Sequence, residues 1–286
     1  MEGSMSTVVV IGTGEMGAAV ARRLREQGAA VRTSLRGRGA ASRARVERAQ
    51  VTVIDDDARL VDGADVVLSI VPPGQAPAVA AQFAPVLAGA ESKPAFVDCN
   101  AVAPASVRAI AATMAPTGCV FIDGGIIGGP PGKRPDGPKF YVSGPAEPRI
   151  DALRGHGLDI RRVDGPVGAA SALKMAYAGI GKGLTALGAA MILGAEQAGV
   201  AAALHAELAD SQPTLHQYLT KRVPDMYPKA YRWVAEMEEI AKFMDGAAGA
   251  DMYRGAAALY EAIAKEFADQ GTVIATLQAF VDKQAA

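Results

Sequence analysis

The sequence predicts an α/β protein with a Rossmann-type doubly wound sheet over residues 1–165. An all-helical domain over residues 166–286 follows, joined to it through a long interdomain helix. Three observations carry this prediction. Short β-branched runs alternate with helical stretches through the first half, as parallel sheets require. Gly12-Thr13-Gly14-Glu15-Met16-Gly17 stands between the first strand and the first helix. After Gly165 the strand signal stops.

The elements follow in order. Residues 7–11 read as the first strand. Residues 15–27 read as a helix, with Met16, Ala19, Val20 and Leu24 spaced to face a sheet and Gly28 closing it. Residues 30–34, 51–54 and 65–71 read as strands, with a short helix over 42–49 between the first two. The run 65–71 is almost continuously apolar, as expected of a strand covered on both faces. Pro72-Pro73-Gly74 then breaks the chain before a helix over 76–87. Strands over 95–98, 120–123, 140–143 and 158–163 bring the sheet to about eight. Residues 169–197 read as one long helix rich in small residues, longer than ordinary globular helices, and therefore an interdomain bridge. Helices over 202–210, 214–221, 227–244 and 252–270, and one more beyond, complete the chain. Met5 is a plausible natural start, with residues 1–4 an expression remnant.

Composition narrows the function. Half of the 286 residues are hydrophobic and 21% are charged, which suits a globular protein. With 29 basic and 30 acidic side chains the net charge is -1, so neither nucleic acid nor an anionic membrane surface is an expected partner. Any anion site must be local. Cys99 and Cys119 stand apart from each other and read as buried thiols. His156, His205 and His216 are scattered, so no metal site is expected. The expected location is the cytoplasm.

The glycine turn is where chemistry enters. Gly12 permits a tight turn, Gly14 lets the backbone approach a pyrophosphate, and Gly17 lets the helix pack on the strand. The helix N-terminus adds unpaired N–H groups and partial positive charge. Thr13, Glu15 and Met16 complete the loop of a βαβ unit of about 40 residues, a dinucleotide site in the making. At the end of the second strand an NAD site usually offers a carboxylate to the ribose. This chain offers Ser34, Arg36 and Arg38, with no acid before Glu47. Guanidinium forks and a small hydroxyl suit a 2′-phosphate, so NADP(H) is expected over NAD(H). Val71, Pro72 and Pro73 should border the cofactor, because ligands of such sheets lie beyond the strand C-termini.

The ordered motifs resemble those of the β-hydroxyacid dehydrogenases, which include 3-hydroxyisobutyrate and 6-phosphogluconate dehydrogenases. Gly12 to Gly17 resembles their GxGxMG. Asp98-Cys99-Asn100-Ala101-Val102-Ala103-Pro104 resembles D-x-S/N-T-x-x-P. Asp123-Gly124-Gly125-Ile126-Ile127-Gly128-Gly129 resembles a D-A-P-V-S-G-G substrate loop. Gly168 to Lys174 resembles the first half of G-x-x-x-x-x-K-x-x-N-N. The resemblance covers roughly residues 5 to 200. It implies an NADP(H)-dependent oxidoreductase acting on a hydroxy acid or related alcohol and carbonyl pair. Lys174 would be the proton donor and acceptor, Asn100 would contact cofactor and substrate, and Gly124, Gly125 and Ile126 would line the substrate.

The departures are informative. Where the family holds an asparagine four residues after its lysine there is Ala178, and Tyr177, on the same helical side, is the expected substitute. The substrate-loop serine is replaced by Ile127, and Ala101 lacks a hydroxyl. These losses suggest a less polar or bulkier substrate and a divergent branch with a phosphogluconate-dehydrogenase-like C-terminal domain. An imine reductase of the same architecture and a non-catalytic NADPH sensor are the alternatives. Lys133, Arg134 and Lys139 are placed to meet an anionic substrate or to be solvated. Glycines 179, 181 and 183 thin the long helix for a cofactor or for a partner helix. Arg232, Glu236 and Glu239 read as surface or subunit contacts. The resemblance implies a homodimer that binds a small-molecule substrate.

Overall fold

The computed structural model describes residues 6–132, 137–269 and 271–283. Lys133, Arg134 and the first five residues lie outside the described residues. The chain divides into two compact units, residues 1–174 and 175–286.

The first unit is built on an eight-stranded sheet of order β3-β2-β1-β4-β5-β6-β7-β8. The strands are β1 (Thr7–Ile11), β2 (Ala30–Thr33), β3 (Thr52–Val53), β4 (Val66–Ser69), β5 (Ala95–Asp98), β6 (Phe121–Ile127), β7 (Lys139–Ser143) and β8 (Asp159–Arg162). All neighbours pair parallel except β6 and β7, which pair antiparallel. The apolar strands have a simple cause. Val8, Val10, Val66, Leu68 and Val97 enter one core, whereas Val9, Ile11, Val67 and Phe96 enter the core on the opposite face. Fully burying each such side chain contributes about 1.5–3 kcal/mol.

The helices of this unit are α1 (Glu15–Glu26), α2 (Ala40–Ala49), α3 (Asp57–Val61), α4 (Ala76–Gly89), α5 (Pro104–Met114) and α6 (Pro148–Ala152). α3, α5 and α6 are additions to the sequence reading. Two of them are single short turns, and α5 hides its buried stripe, Val107, Ile110 and Met114, in an alanine-rich background. β6 also runs on through Gly124, Gly125 and Ile126, which the sequence reading had as a loop. Pairing of Gly124 with Val142 and of Ile126 with Phe140 holds that glycine-rich segment extended.

α7 (Ala169–Gln197) begins in the first unit and continues in the second. By length and composition it is apolar enough to cross a bilayer. Its first turn, however, is fixed by hydrogen bonds to β6 and β7 (below). The second unit continues with α8 (Ala201–Ser211), α9 (Pro213–Met226), α10 (Ala230–Phe243), α11 (Ala250–Asp269) and α12 (Thr272–Val281). Trp233 meets Tyr260 edge to face at 5.2 Å in its core. The α7 glycines admit neighbouring side chains: a β-carbon at Gly179 would stand 3.0 Å from Tyr253 Oη, and one at Gly188 would collide with Leu219. Glu236 and Glu239 are not surface groups. Glu236 pairs with Lys182, whose ammonium also lies 5.0 Å from the Trp233 ring centroid. Glu239 is buried and accepts from Lys242 at 2.6 Å.

Candidate functional site at the C-terminal edge of the sheet

The glycine turn separates into positions the protein needs and one it does not. Gly12 has φ 104°, and a β-carbon there would collide with the Ile70 carbonyl at the end of β4. A β-carbon at Gly17 would collide with the Gly12 carbonyl. Gly14, by contrast, has nothing within 4 Å of where its β-carbon would be. It precedes α1 without any side-chain cap, so the first N–H groups of the helix are uncapped by a side chain. Thr13 is buried, and its Oγ1 has no hydrogen-bond partner. An open backbone, an uncapped helix start and an orphaned hydroxyl fit a pyrophosphate.

Gly12, Ser34, Arg36 and Arg38 line one cleft of about 80 Å³. Two carboxylates that the sequence reading had not placed here join them. Asp55 accepts from Ser34 Oγ at 3.0 Å and from the Leu35 N–H at 2.7 Å. Those bonds, the Leu35 N–H first, hold its carboxyl below the usual range. Asp57 accepts from Arg36 Nη2 at 2.5 Å and from Gln82 at 2.9 Å. Among the described residues the Arg38 side chain has no such partner.

Asn100 ties the ends of β4 and β5 together. Its Nδ2 donates to Ser69 Oγ and to Asp98 Oδ2, each at 3.0 Å, and its Oδ1 accepts the Val71 N–H at 2.6 Å. The amide thereby fixes the start of Val71-Pro72-Pro73, whose Val71 side chain also crowds Gly12. Both amide protons are used within the protein, where they tie Asn100 to Ser69 and Asp98. Asp98 is buried beside it, and desolvation pushes its carboxyl up to about 6, with Asp123 adding to the effect and Asn100 opposing it. Burial likewise pushes the Cys99 thiol up.

Asp123 is fully buried at the matching position of β6. Its Oδ2 accepts from Ser143 Oγ at 2.9 Å, the Gly168 N–H at 2.9 Å and the Ser171 N–H at 3.0 Å. Its Oδ1 accepts Ser171 Oγ at 2.6 Å. A carboxylate from the sheet thus caps the start of α7 from outside the helix. One turn on, Lys174 Nζ donates to the Ile126 carbonyl at 2.7 Å. Gly125 makes the approach possible, since a β-carbon there would stand 3.0 Å from both the Ala170 carbonyl and Lys174 Cβ. Gly124 packs equally tightly against β5, where a β-carbon would stand 3.0 Å from the Asp98 carbonyl.

Residues 7–152 match the NAD binding domain of 6-phosphogluconate dehydrogenase, just over half the chain. The chain belongs to the β-hydroxyacid dehydrogenase superfamily. Residues 195–263 match a domain of unknown function, DUF1932. A 3-hydroxyisobutyrate dehydrogenase from Pseudomonas aeruginosa is 29% identical over 144 residues, 50% of this chain and 48% of that protein. The match thus spans about half that relative's length. Among solved structures, a conserved hypothetical protein from Sinorhizobium meliloti 1021 is 27% identical over 98% of both chains, with a TM-score of 0.69. The Mycobacterium tuberculosis 3-hydroxyisobutyrate dehydrogenase, with L-serine, is 22% identical over 96% of this chain and 100% of that one, with a TM-score of 0.71.

Within this superfamily the C-terminal sheet edge gathers Gly12, Asn100, Val71, Lys174 and Ile126 from five separate segments. Tyr177 is 61% exposed and has no hydrogen-bond partner among the described residues. Ala178, at the family's asparagine position, is buried. Among the described residues no group of three or more His, Cys, Asp or Glu is placed to hold a metal. One pairing escaped the sequence reading: His216 Nε2 lies 3.0 Å from His205 Nε2, bringing α8 and α9 together in the second unit.

Proposed function

We propose that the chain is an NADP(H)-dependent oxidoreductase interconverting a hydroxy acid, or a related alcohol, and its carbonyl partner. The observation that carries this reading is the ammonium of Lys174, held at the Ile126 carbonyl by a helix start capped from β6, in a chain of dinucleotide-binding ancestry. The uncapped start of α1, with Gly14 and Thr13, would hold the pyrophosphate. The bound nicotinamide would exchange the hydride. Lys174 holds the proton: its ammonium donates to the developing alkoxide in reduction, and its neutral amine accepts the hydroxyl proton in oxidation. Tyr177 is a second donor on the same helix. Gly124, Gly125 and Ile126 shape the substrate side through the main chain.

The preference for NADP(H) rests on Arg38. Asp55 is engaged by Ser34 and Leu35 and Asp57, through Oδ2 alone, by Arg36 and Gln82, so the unpartnered guanidinium is the one available to a 2′-phosphate. A hydrogen bond to a charged group contributes about 1.5–3 kcal/mol, so Arg38→Ala should weaken NADPH roughly 10- to 150-fold and leave NADH unchanged. Tighter binding of NADH than of NADPH by the parent chain refutes the preference.

Residues 1–165 would form the nucleotide domain, and residues 166–286 the substrate and dimerisation domain of a cytoplasmic homodimer. Tyr177, Ile180, Leu187 and Met191 support the dimer, because their spacings of three, seven and four residues put them on one face of α7 and all are more than half exposed. Turnover tests the chemistry. A panel of hydroxy acids, aldehydes and imines with NADPH should show carbonyl reduction that Lys174→Ala abolishes while NADPH still binds. The losses at Ile127 and Ala178 favour imines as second substrates, and imine turnover unchanged by Lys174→Ala would replace the dehydrogenase reading with an imine reductase. Absence of turnover with retained NADPH binding would leave a sensor.

A further inference from the structure

A second and larger groove, of about 330 Å³, lies on the outer side of α1, bounded by α2 and by residues 130–132 after β6. It shares no residue with the cleft of Gly12, Ser34, Arg36 and Arg38. Its charged walls are Arg22 and Glu15 from α1 and Arg45 and Arg48 from α2. Three guanidinium groups therefore face one carboxylate in a chain whose net charge is only -1.

These arginines are poorly matched by the protein itself. Among the described residues Arg45 and Arg48 have no hydrogen bond or ion pair. Arg22 reaches the Pro131 carbonyl only at 3.4 Å, and its buried Nε makes no hydrogen bond, only a long ion pair with Glu26 one turn on at 3.8 Å. Like charges gathered in this way repel unless an anion neutralises them. Arg45 and Arg48, three residues apart on α2, are neighbours on one helix face, and their planar forks match phosphate oxygens two at a time. Glu15 accepts hydrogen bonds but cannot donate when ionised, so it asks for a donor on the same ligand. The volume falls in the range of small-molecule pockets, about 300–1,000 Å³.

We propose that this groove is a second ligand site, separate from the dinucleotide cleft, for a small organic phosphate that carries a hydroxyl or amine donor. The phosphate lies between Arg22, Arg45 and Arg48, and the donor faces Glu15.

Calorimetric titration of the full chain with glycerol 3-phosphate and, separately, inorganic phosphate tests this, each with and without saturating NADPH. Glycerol 3-phosphate should bind saturably, more tightly than inorganic phosphate, and equally well with NADPH present. The double variant Arg45→Gln/Arg48→Gln should weaken it at least tenfold, while Arg38→Gln should not. Since Arg45 and Arg48 make no hydrogen bond or ion pair among the described residues, the double variant should melt with the parent, which a thermal scan confirms. Absence of saturable binding overturns the proposal, as does loss on adding NADPH or with Arg38→Gln. Equal affinity for the two probes overturns the assignment to an organic phosphate. Failure of NADPH to bind would sink the oxidoreductase reading alone, because the comparison of parent and Arg45→Gln/Arg48→Gln needs no cofactor.

Discussion

Asp123 offers the sharpest test of how the site is built. Its carboxylate accepts four hydrogen bonds, two from main-chain N–H groups at the start of α7 and two from the buried hydroxyls of Ser143 and Ser171. Asp123→Ala removes all four acceptors while the donors stay buried. Loss of a helix cap alone costs about 1 kcal/mol, and stranding buried donors that faced a charge brings the total to about 3–5 kcal/mol. At about 2–4 °C per kcal/mol the midpoint of thermal unfolding should fall by roughly 6–20 °C. Asp123→Asn behaves differently. Its oxygen can take the three bonds now made to Oδ2, and its amide can donate to Ser171 Oγ, which only has to turn its proton away. What remains is loss of negative charge at a helix start, about 1–2 kcal/mol. Urea and thermal unfolding followed by circular dichroism read both variants. If Asp123→Ala unfolds within about 1 kcal/mol of the parent, or Asp123→Asn is as damaging as Asp123→Ala, the capping argument is wrong.

Three further outcomes follow from the same geometry. Gly14→Ala should leave the unfolding midpoint nearly unchanged yet weaken NADPH binding at least tenfold, whereas Gly17→Ala should destabilise the fold itself by about 1–3 kcal/mol of overpacking; matching behaviour of the two in both assays contradicts the division of roles. Asp98, pushed up to about 6 from the ordinary aspartate value of 3.8, keeps its proton longer when folded, so stability should fall as pH rises from 4 to 6, by up to about 3 kcal/mol. Unfolding measured across that range should lose this slope in Asp98→Asn. His205 has the opposite sign: burial first, then the charges of His216 and Lys283, lower its pKa, so stability should drop as pH falls below the ordinary histidine value of 6.5. A pH series with His205→Gln that keeps the parent's slope would remove the imidazole pair as its cause.

Much of the fold was legible because its signals are local. A strand covered on both faces must be apolar throughout, so β1 and β4 stand out, and the long glycine-rich helix announces itself by the absence of anything else. The glycine turn was legible for the same reason, all its parts lying within six residues. What stayed hidden depends on chain segments that meet only in the fold. Gly124 and Gly125 read as loop because glycine weakens a strand, and only pairing with β7 holds them extended. Asp55 and Asp57 reach the Arg36 cleft because β3 lies beside β2, a neighbour that no inspection of the β2 end could supply. His205 and His216 look scattered until the turn between α8 and α9 sets their rings side by side.

The departures from the family motif are connected rather than independent losses. The family pairs its lysine with an asparagine one helical turn on; here that position is Ala178, a buried methyl. A lysine deprived of that partner needs another acceptor to fix its direction. The acceptor is the Ile126 main-chain carbonyl, reachable because Gly125 carries no β-carbon where α7 crosses β6. The substitution of glycine into the substrate loop and the loss of the asparagine thus compensate each other: one admits the helix, and the other is no longer required to orient the ammonium. Because this acceptor belongs to the backbone, it is present whatever side chain stands at position 126. If Lys174 carries the proton as proposed, its direction is set by the main chain, and a substrate beside it would be selected by shape more than by hydrogen bonding.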